Sequence, residues 1–329
     1  MNRALRLLRR RLVSAIPVLA LVVAGAFLLV EAAPGDAADA YLLSIGGGDP
    51  AFVAALRQQW GLDGSVAARL ALYLTSLARL DLGWSLAFGR PVLDLVLERL
   101  PATLWLMGSA VALAFTAGSG LGVVAGMRPG SALDRVLSTG SLALYAVPGF
   151  WLGLVLIVVF SVQLRWFPTA GLETIASGKA GLARARDVAW HLALPVASLA
   201  ILYLALFLRM MRAGMAESWR QDYALAARAR GLGRWRIALF HVARNALLPL
   251  VTMLGLQAAS MLGGSVVIES VFAIPGFGRL AQEAVAARDA ALLAGIILVS
   301  AVMVVAVNLI VDLAYAALDP RVGAAGAGS

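Results

Sequence analysis

With two histidines, one lysine and no cysteine, the 329 residues offer no thiolate chemistry and few nitrogen ligands or amine nucleophiles. Lys179 stands in Ser177-Gly178-Lys179-Ala180. That segment lacks the spacing and the hydroxyl of a G-x-x-x-x-G-K-[ST] loop, whose lysine reaches the terminal phosphates of a nucleotide. The chain is therefore expected not to be an enzyme, to bind no cofactor and no metal of its own, and to leave any ATP hydrolysis to another subunit. His191 and His241 have no second ligand beside them, so both are read as structural. The strongest pattern is Glu217-Ser-Trp-Arg-Gln-Asp-Tyr223-Ala-Leu-Ala226-Ala227-Arg228-Ala229-Arg230-Gly231-Leu232-Gly233. Its Ala and Arg content predicts a helix from Glu217 to Arg230, ended by Gly231 and Gly233. Tyr223, Ala227 and Gly231 lie four apart, which puts an aromatic anchor and small residues on one face. Another protein's groove could approach such a face closely, and Arg228 and Arg230 could meet acidic residues or lipid phosphates. Helix physics alone weighs partner docking and contact with anionic lipid equally.

The elements that must carry this segment follow from composition. Apolar residues make up 61% of the chain and charged residues 14%, against roughly 45–50% and 25% in a soluble domain. Six long stretches, near 12–30, 100–127, 136–165, 188–208, 245–268 and 290–311, hold almost no Asp, Glu, Lys or Arg. Each can cross a hydrocarbon layer, which takes roughly 20 residues of helix. Only internally bonded backbone is tolerated there. The fold class expected is an all-α polytopic membrane protein with six transmembrane helices. The first stretch follows five arginines and resembles a signal peptide, but it is longer than an ordinary signal core and is read as a retained helix.

Six crossings put both termini on one side, together with residues 128–135 and 209–244. This set carries 16 of the 27 Lys and Arg residues in roughly 70 positions, and the remainder are spread over roughly 110, so it is read as cytoplasmic. The net charge of +9 then reflects topology, and no nucleic-acid partner is expected.

The segment 33–100 is expected to form an external helical cap. Asp49-Pro50 can start one helix that Gly61 closes, a second runs from about Ser65 to Arg79, and a third from Pro91 to Leu100 leads into the next crossing. Pro148 should break or kink the third stretch, which places Tyr145 and Trp151 either along a solute path or in packing. In the fifth stretch Gln257, Ser260 and Gly264 share a stripe, with Gly255 and Gly263 nearby. A polar stripe can face a water-filled passage, and small residues four apart equally suit close helix packing. An ion-coupled carrier needs ionisable groups within the membrane. Here Glu31, Glu269 and Asp312 sit at stretch boundaries and read as interface positions.

The polar loop resembles the EAA motif of ABC importer permeases: Leu225-Ala226-Ala227, three residues, Gly231, then Leu248-Pro249. Leu at the first position and the long Gly-to-Pro spacing are similar to the B-type permeases of the dipeptide, oligopeptide and nickel branch. The resemblance continues in Arg57-Gln-Gln-Trp-Gly61-Leu-Asp63, Asp81-Leu-Gly83-Trp-Ser85, Gly89-Arg90-Pro91-Val92 and Glu98-Arg99-Leu-Pro101-Ala-Thr103. Further matches are Pro148-Gly-Phe150-Trp151-Leu-Gly153, Trp166-Phe-Pro168, Gly263-Gly-Ser-Val-Val-Ile-Glu269, Phe272-Ala-Ile-Pro275-Gly276, Asp312-Leu-Ala-Tyr315 and Leu318-Asp319-Pro320-Arg321. Nearly the whole chain is covered.

The resemblance implies a type I importer permease: residues 1–100 as first helix and cap, 101–320 as core with a coupling loop at about 209–249, and 321–329 as a short tail. It implies a bacterial or archaeal cytoplasmic membrane and a heterodimer with a similar permease. Two ATPase subunits using ATP and Mg, an external solute-binding protein and membrane lipid complete the expected partners. Short peptides or comparable polar solutes would be the cargo, moved by alternating access. Tyr223, Ala226, Ala227, Arg228 and Gly231 would couple to the ATPase, and a Glu at Ala227 would uncouple it while leaving insertion intact. The competing readings are an ion-coupled secondary transporter and a non-transporting membrane anchor.

Overall fold

The computed structural model describes residues 3–32 and 64–318, with a few isolated positions between them; among these, side chains before residue 9, at 10, at 258–264 and beyond 313 are not described. The expected helix from Asp49 to Gly61 falls outside the described residues. Among the described residues, five helical segments are long and apolar enough to span a membrane: Arg11–Ala32, Val92–Met127, Gly181–Ser218, Arg234–Gln257 and Ala290–Leu313. They fall on five of the six apolar stretches. The third stretch is no straight rod. Its two halves, Ala132–Tyr145 and Gly149–Gln163, meet at 100°, and counting them as one span gives six. The cause is Pro148, which has no N–H to continue the ladder and disfavours helical backbone before it. Its own backbone is extended, with φ −61° and ψ 133°.

The chain divides into two compact units, one comprising Met1–Leu8, Ala102–Pro275 and Ala306–Ser329, the other Arg9–Pro101 and Gly276–Val305. The first unit is organised on α6 (Gly181–Ser218). Against it lies α3 (Val92–Met127), from which Gly118, Gly122 and Gly126 present a ridge of hydrogens at helical spacing. A Cβ at Gly122 would stand 2.5 Å from the Met211 Cβ, and one at Gly126 2.5 Å from the Met215 Cβ. Glycine is what lets the two backbones approach this closely, as small residues do between membrane helices.

The other elements of this unit are α4 (Ala132–Tyr145), α5 (Gly149–Leu156) with a π-helical continuation Ile157–Gln163, and α9 (Ala243–Val271). Helix α4 is capped by Ser131, whose hydroxyl accepts from the Asp134 N–H. Asp134, 1% exposed, ties α4 to α6. It accepts from Arg212 Nε and, at 2.7 Å, from Nη2, and also from the Gly130 N–H and the Ser138 hydroxyl. Four donors on one carboxylate are what make a buried charge tolerable. Glu269, expected at an interface, is instead fully buried near the end of α9 and accepts at 2.6 Å from the Thr103 hydroxyl of α3. A charged residue at the end of an apolar run can turn inward when a hydroxyl on a neighbouring helix receives it.

The segment before α6 is stapled to it by Asp187. This carboxylate accepts from the Thr174 N–H (2.7 Å), the Thr174 hydroxyl (2.9 Å) and Lys179 Nζ (2.6 Å). His191 Nδ1 lies 2.8 Å from the Asp187 carbonyl, so both Lys179 and His191 have structural employment. Arg184 donates twice to Glu173, which holds that carboxyl below its ordinary pKa.

In the second unit α1 (Arg3–Ala32) packs Phe27 on Tyr73 of α2 (Val66–Ala78), and Arg69 pairs with Glu31. The Ser65 hydroxyl caps α2, in agreement with the expected second cap helix. The stretch from Pro91 is not a separate helix but the first turns of α3. Before it, β1 (Trp84–Ser85) pairs with β2 (Arg90–Pro91). Buried Asp289 accepts from the Ser85 hydroxyl (2.7 Å) and the Ala87 N–H, and its second oxygen caps the Leu292 N–H at the start of α11 (Ala290–Leu318). Helix α10 (Phe277–Ala286) precedes this cap.

Candidate functional site

The polar loop does not form one helix from Glu217 to Arg230. Helix α6 runs on to Ser218, the chain turns at Trp219–Gln221, and a separate α7 spans Asp222–Ala229. Asp222 in its first turn and Arg228 in its last suit the helix dipole. Gly231, with φ +73°, ends it as the sequence predicts, its N–H returning to the Arg228 carbonyl and that of Leu232 to Ala227. Gly233, at φ −61°, is instead the N-cap of α8 (Arg234–Ile237), from which a π-helical turn Ala238–Val242 leads into α9.

Packing decides which side of α7 is free. Ala224 and Ala227 are buried, Ala227 at 5% exposure, in a cluster with Met127, Met215, Ile237, Ala238 and Val242. The four-apart face is thus occupied at its centre by the chain's own core, and an acidic residue at Ala227 would disturb the loop's seat before meeting any partner. The uncoupling expected of such a change would thus begin with loss of the loop's packing. Tyr223 (38% exposed), Ala226 and Arg230 form an outer flank open to solvent. The opposite flank, Leu225 and Arg228, borders a cavity of about 670 Å³.

Trp219 braces the loop. The Arg228 guanidinium lies 5.1 Å from its ring centroid and donates to its carbonyl at 2.7 Å, and Arg234 stands over the same ring at 5.9 Å while donating to the Met127 carbonyl. Sequence reasoning singled out Arg228 but missed Trp219 and Arg234. Indole and guanidinium side chains just beyond an apolar run are the available signal.

The candidate path residues lie on three helices. Tyr145 is half-exposed at the end of α4 with the Arg209 guanidinium 5.1 Å from its ring, and Trp151 is half-exposed on α5. Gln257 is half-buried on α9, and the side chains of Ser260 and Gly264 are outside the described residues. Gly255 does pack: a Cβ there would lie 2.7 Å from Val311 Cγ1, on the other side of α9 from the polar stripe.

A bundle of apolar helices, one span broken at a proline, and a short helix braced on the helix ends describe a polytopic membrane protein. Residues 118–324 match the family described as binding-protein-dependent transport system inner membrane component. The chain is 37% identical over 318 residues to the oligopeptide transport system permease protein AppB of Bacillus subtilis, covering 95% of this chain and 98% of the relative. It is likewise 37% identical over 316 residues to a Brucella abortus protein named as a peptide transport system permease, covering 96% and 98%. Among solved structures, a chain of the MetNI methionine ABC transporter in an inward facing conformation superposes with a TM-score of 0.56 at 18% identity, over 69% of this chain and 97% of that one. The chain belongs to the binding-protein-dependent transport system inner membrane component family, and its fold is that of a type I ABC importer permease.

Proposed function

We propose that this permease passes short peptides or comparable polar solutes through the cytoplasmic membrane, driven by an ATPase that seats on the outer flank of α7. Identity to peptide and oligopeptide permeases across almost the whole chain supports the cargo class. The observation that carries the coupling role is the division of α7 into an inner face sealed by Ala224 and Ala227 and an outer flank of Tyr223, Ala226 and Arg230 left free. A helix held by its own chain on one side and open on the other can transmit displacement in either direction. Ala227 acts as the seat, Arg228 as a brace through Trp219, and Gly231 as the stop that fixes the helix length. The loop lies in the cytoplasm with both termini, as the distribution of arginine favours. A second permease, an external solute-binding protein and Mg-ATP on the ATPase pair complete the transporter.

Because the chain has no cysteine, Ala226→Cys provides a sole thiol for cross-linking. In the assembled transporter it should link to the ATPase subunit, and peptide uptake in proteoliposomes should require ATP. Cross-linking to no protein partner, or uptake driven by a proton gradient alone, would overturn the assignment.

A further inference from the structure

The cavity beside α7 combines two kinds of lining that seldom meet by accident. Met127, Pro129, Ala216, Leu225, Leu232 and Ile237 are apolar, whereas Arg220, Arg228 and Arg234 each bring a guanidinium, and Trp219 completes the wall. None of these three arginines forms an ion pair with a carboxylate among the described residues. Two of them stand over one indole ring, which gathers positive charge around it. Each retains donors beyond the single carbonyl bond of Arg228 or Arg234, and Arg220 makes no side-chain bond among the described residues. The Trp219 Nε1 is buried without an acceptor, a condition that costs free energy unless a ligand or water relieves it. All of this lies where α3 ends at Met127 and α6 at Ser218, the level at which membrane proteins place Trp and Arg against head groups.

We propose that this cavity binds the phosphate head group of an anionic phospholipid. Guanidinium groups match phosphate oxygens in fork geometry, and the apolar lining receives the glycerol and upper acyl carbons. A free inorganic phosphate would leave that apolar half unused. At about 670 Å³ the cavity is large enough for a head group, within the roughly 300–1,000 Å³ typical of small-molecule sites. The proposal is separate from the seating of an ATPase on the outer flank, because Leu225 and Arg228 lie on the opposite flank of α7 from Ala226.

The test uses the full chain in nanodiscs of phosphatidylcholine alone or mixed with phosphatidylglycerol, with retained lipid counted by native mass spectrometry after release. Wild type should keep phosphatidylglycerol in preference to phosphatidylcholine. Arg220→Gln should weaken retention about fivefold, and replacing all three arginines by Gln about a hundredfold, from the attraction of each cation for an anionic lipid surface. Since Arg228 and Arg234 also brace the loop, Arg220→Gln alone decides the question if the triple variant misfolds. Equal retention of both lipids by wild type, or undiminished retention by Arg220→Gln, would overturn the proposal. Displacement of the lipid by equimolar inorganic phosphate would reassign the cavity to a free anion. Protection of Arg220 from phenylglyoxal by the ATPase subunit, without lipid preference, would reassign it to an acidic protein segment.

Discussion

Replacing two adjacent alanines of α7 by glutamate separates seating from docking. Ala227 is 5% exposed in an apolar cluster, so a carboxylate there is buried without a partner, at a cost of several kcal/mol. Helix α7 has only eight residues, and so short a helix is not stable by itself in water. The cost exceeds what holds it, and Ala227→Glu should release α7 from the bundle. Ala226 is exposed, and Glu is close to Ala in helix propensity, so Ala226→Glu should change folding stability by less than about 0.5 kcal/mol. On the outer flank, however, it would place a charge under the ATPase, and an unpaired interfacial charge costs about 2–5 kcal/mol, or roughly thirty- to several-thousand-fold in affinity. Hydrogen exchange on the full chain reads the first effect: α7 amides should lose protection in Ala227→Glu and keep it in Ala226→Glu. ATP hydrolysis and peptide uptake by the assembled transporter read the second, and both variants should be defective. Normal uptake by Ala226→Glu would refute the outer flank as the docking face, and protected α7 amides in Ala227→Glu would refute the buried seat.

Gly122→Ala should lower the thermal stability of the purified chain by about 1–3 kcal/mol, since its Cβ would meet Met211 at 2.5 Å. Gly120→Ala, two positions away with nothing within 4 Å, should be neutral or slightly stabilising, and equal melting shifts for the pair would contradict the ridge. Asp134→Asn should cost roughly 2–4 kcal/mol in a denaturation series, toward the low side for a buried pair because Arg212 is partly exposed. Asp187→Asn should open the 171–180 segment to protease while leaving the rest of the first unit resistant. Glu173 has its pKa lowered by Arg184, so its contribution to holding that segment is present above the unfolded carboxyl pKa and fades as pH falls through the lowered value; proteolysis across an acidic pH series, with Glu173→Gln as reference, measures it.

The spans were legible because lipid demands long apolar helices, and the break at Pro148 because proline cannot continue a hydrogen-bond ladder. Less legible was the size of that break: uncharged composition carries no direction, so a shallow kink and a 100° bend look alike. The stop at Gly231 was readable from the residue itself. The start of α7 was not, because Glu217–Trp219 suits a helix and only packing decides that this helix is α6. Helical spacing put Tyr223, Ala227 and Gly231 on one side, whereas packing sets Tyr223 on the outer flank and Ala227 in the seat, with Gly231 past the end of the helix. It could not say that the middle of that side faces the chain's own core, since alanine suits a buried seat and an open groove equally. Glu269 shows the same blindness to tertiary context, because its hydrogen-bond partner, Thr103, is remote in sequence. The ridge Gly118, Gly122 and Gly126 was present in plain view as a four-residue repeat.

Helix α6 is one rod of 38 residues, about 57 Å at 1.5 Å per residue, and it reaches farther than the hydrocarbon layer is thick. Its first turns are clamped through Asp187 to Thr174 and Lys179, and its last turn enters the loop that carries α7. Tilting either tip therefore swings the other, as with an oar in its rowlock. Under the proposed coupling, thermodynamic reciprocity makes any effect of cargo held at the Asp187 end on ATPase binding equal to the effect of the ATPase on cargo affinity, carried through a single piece of secondary structure.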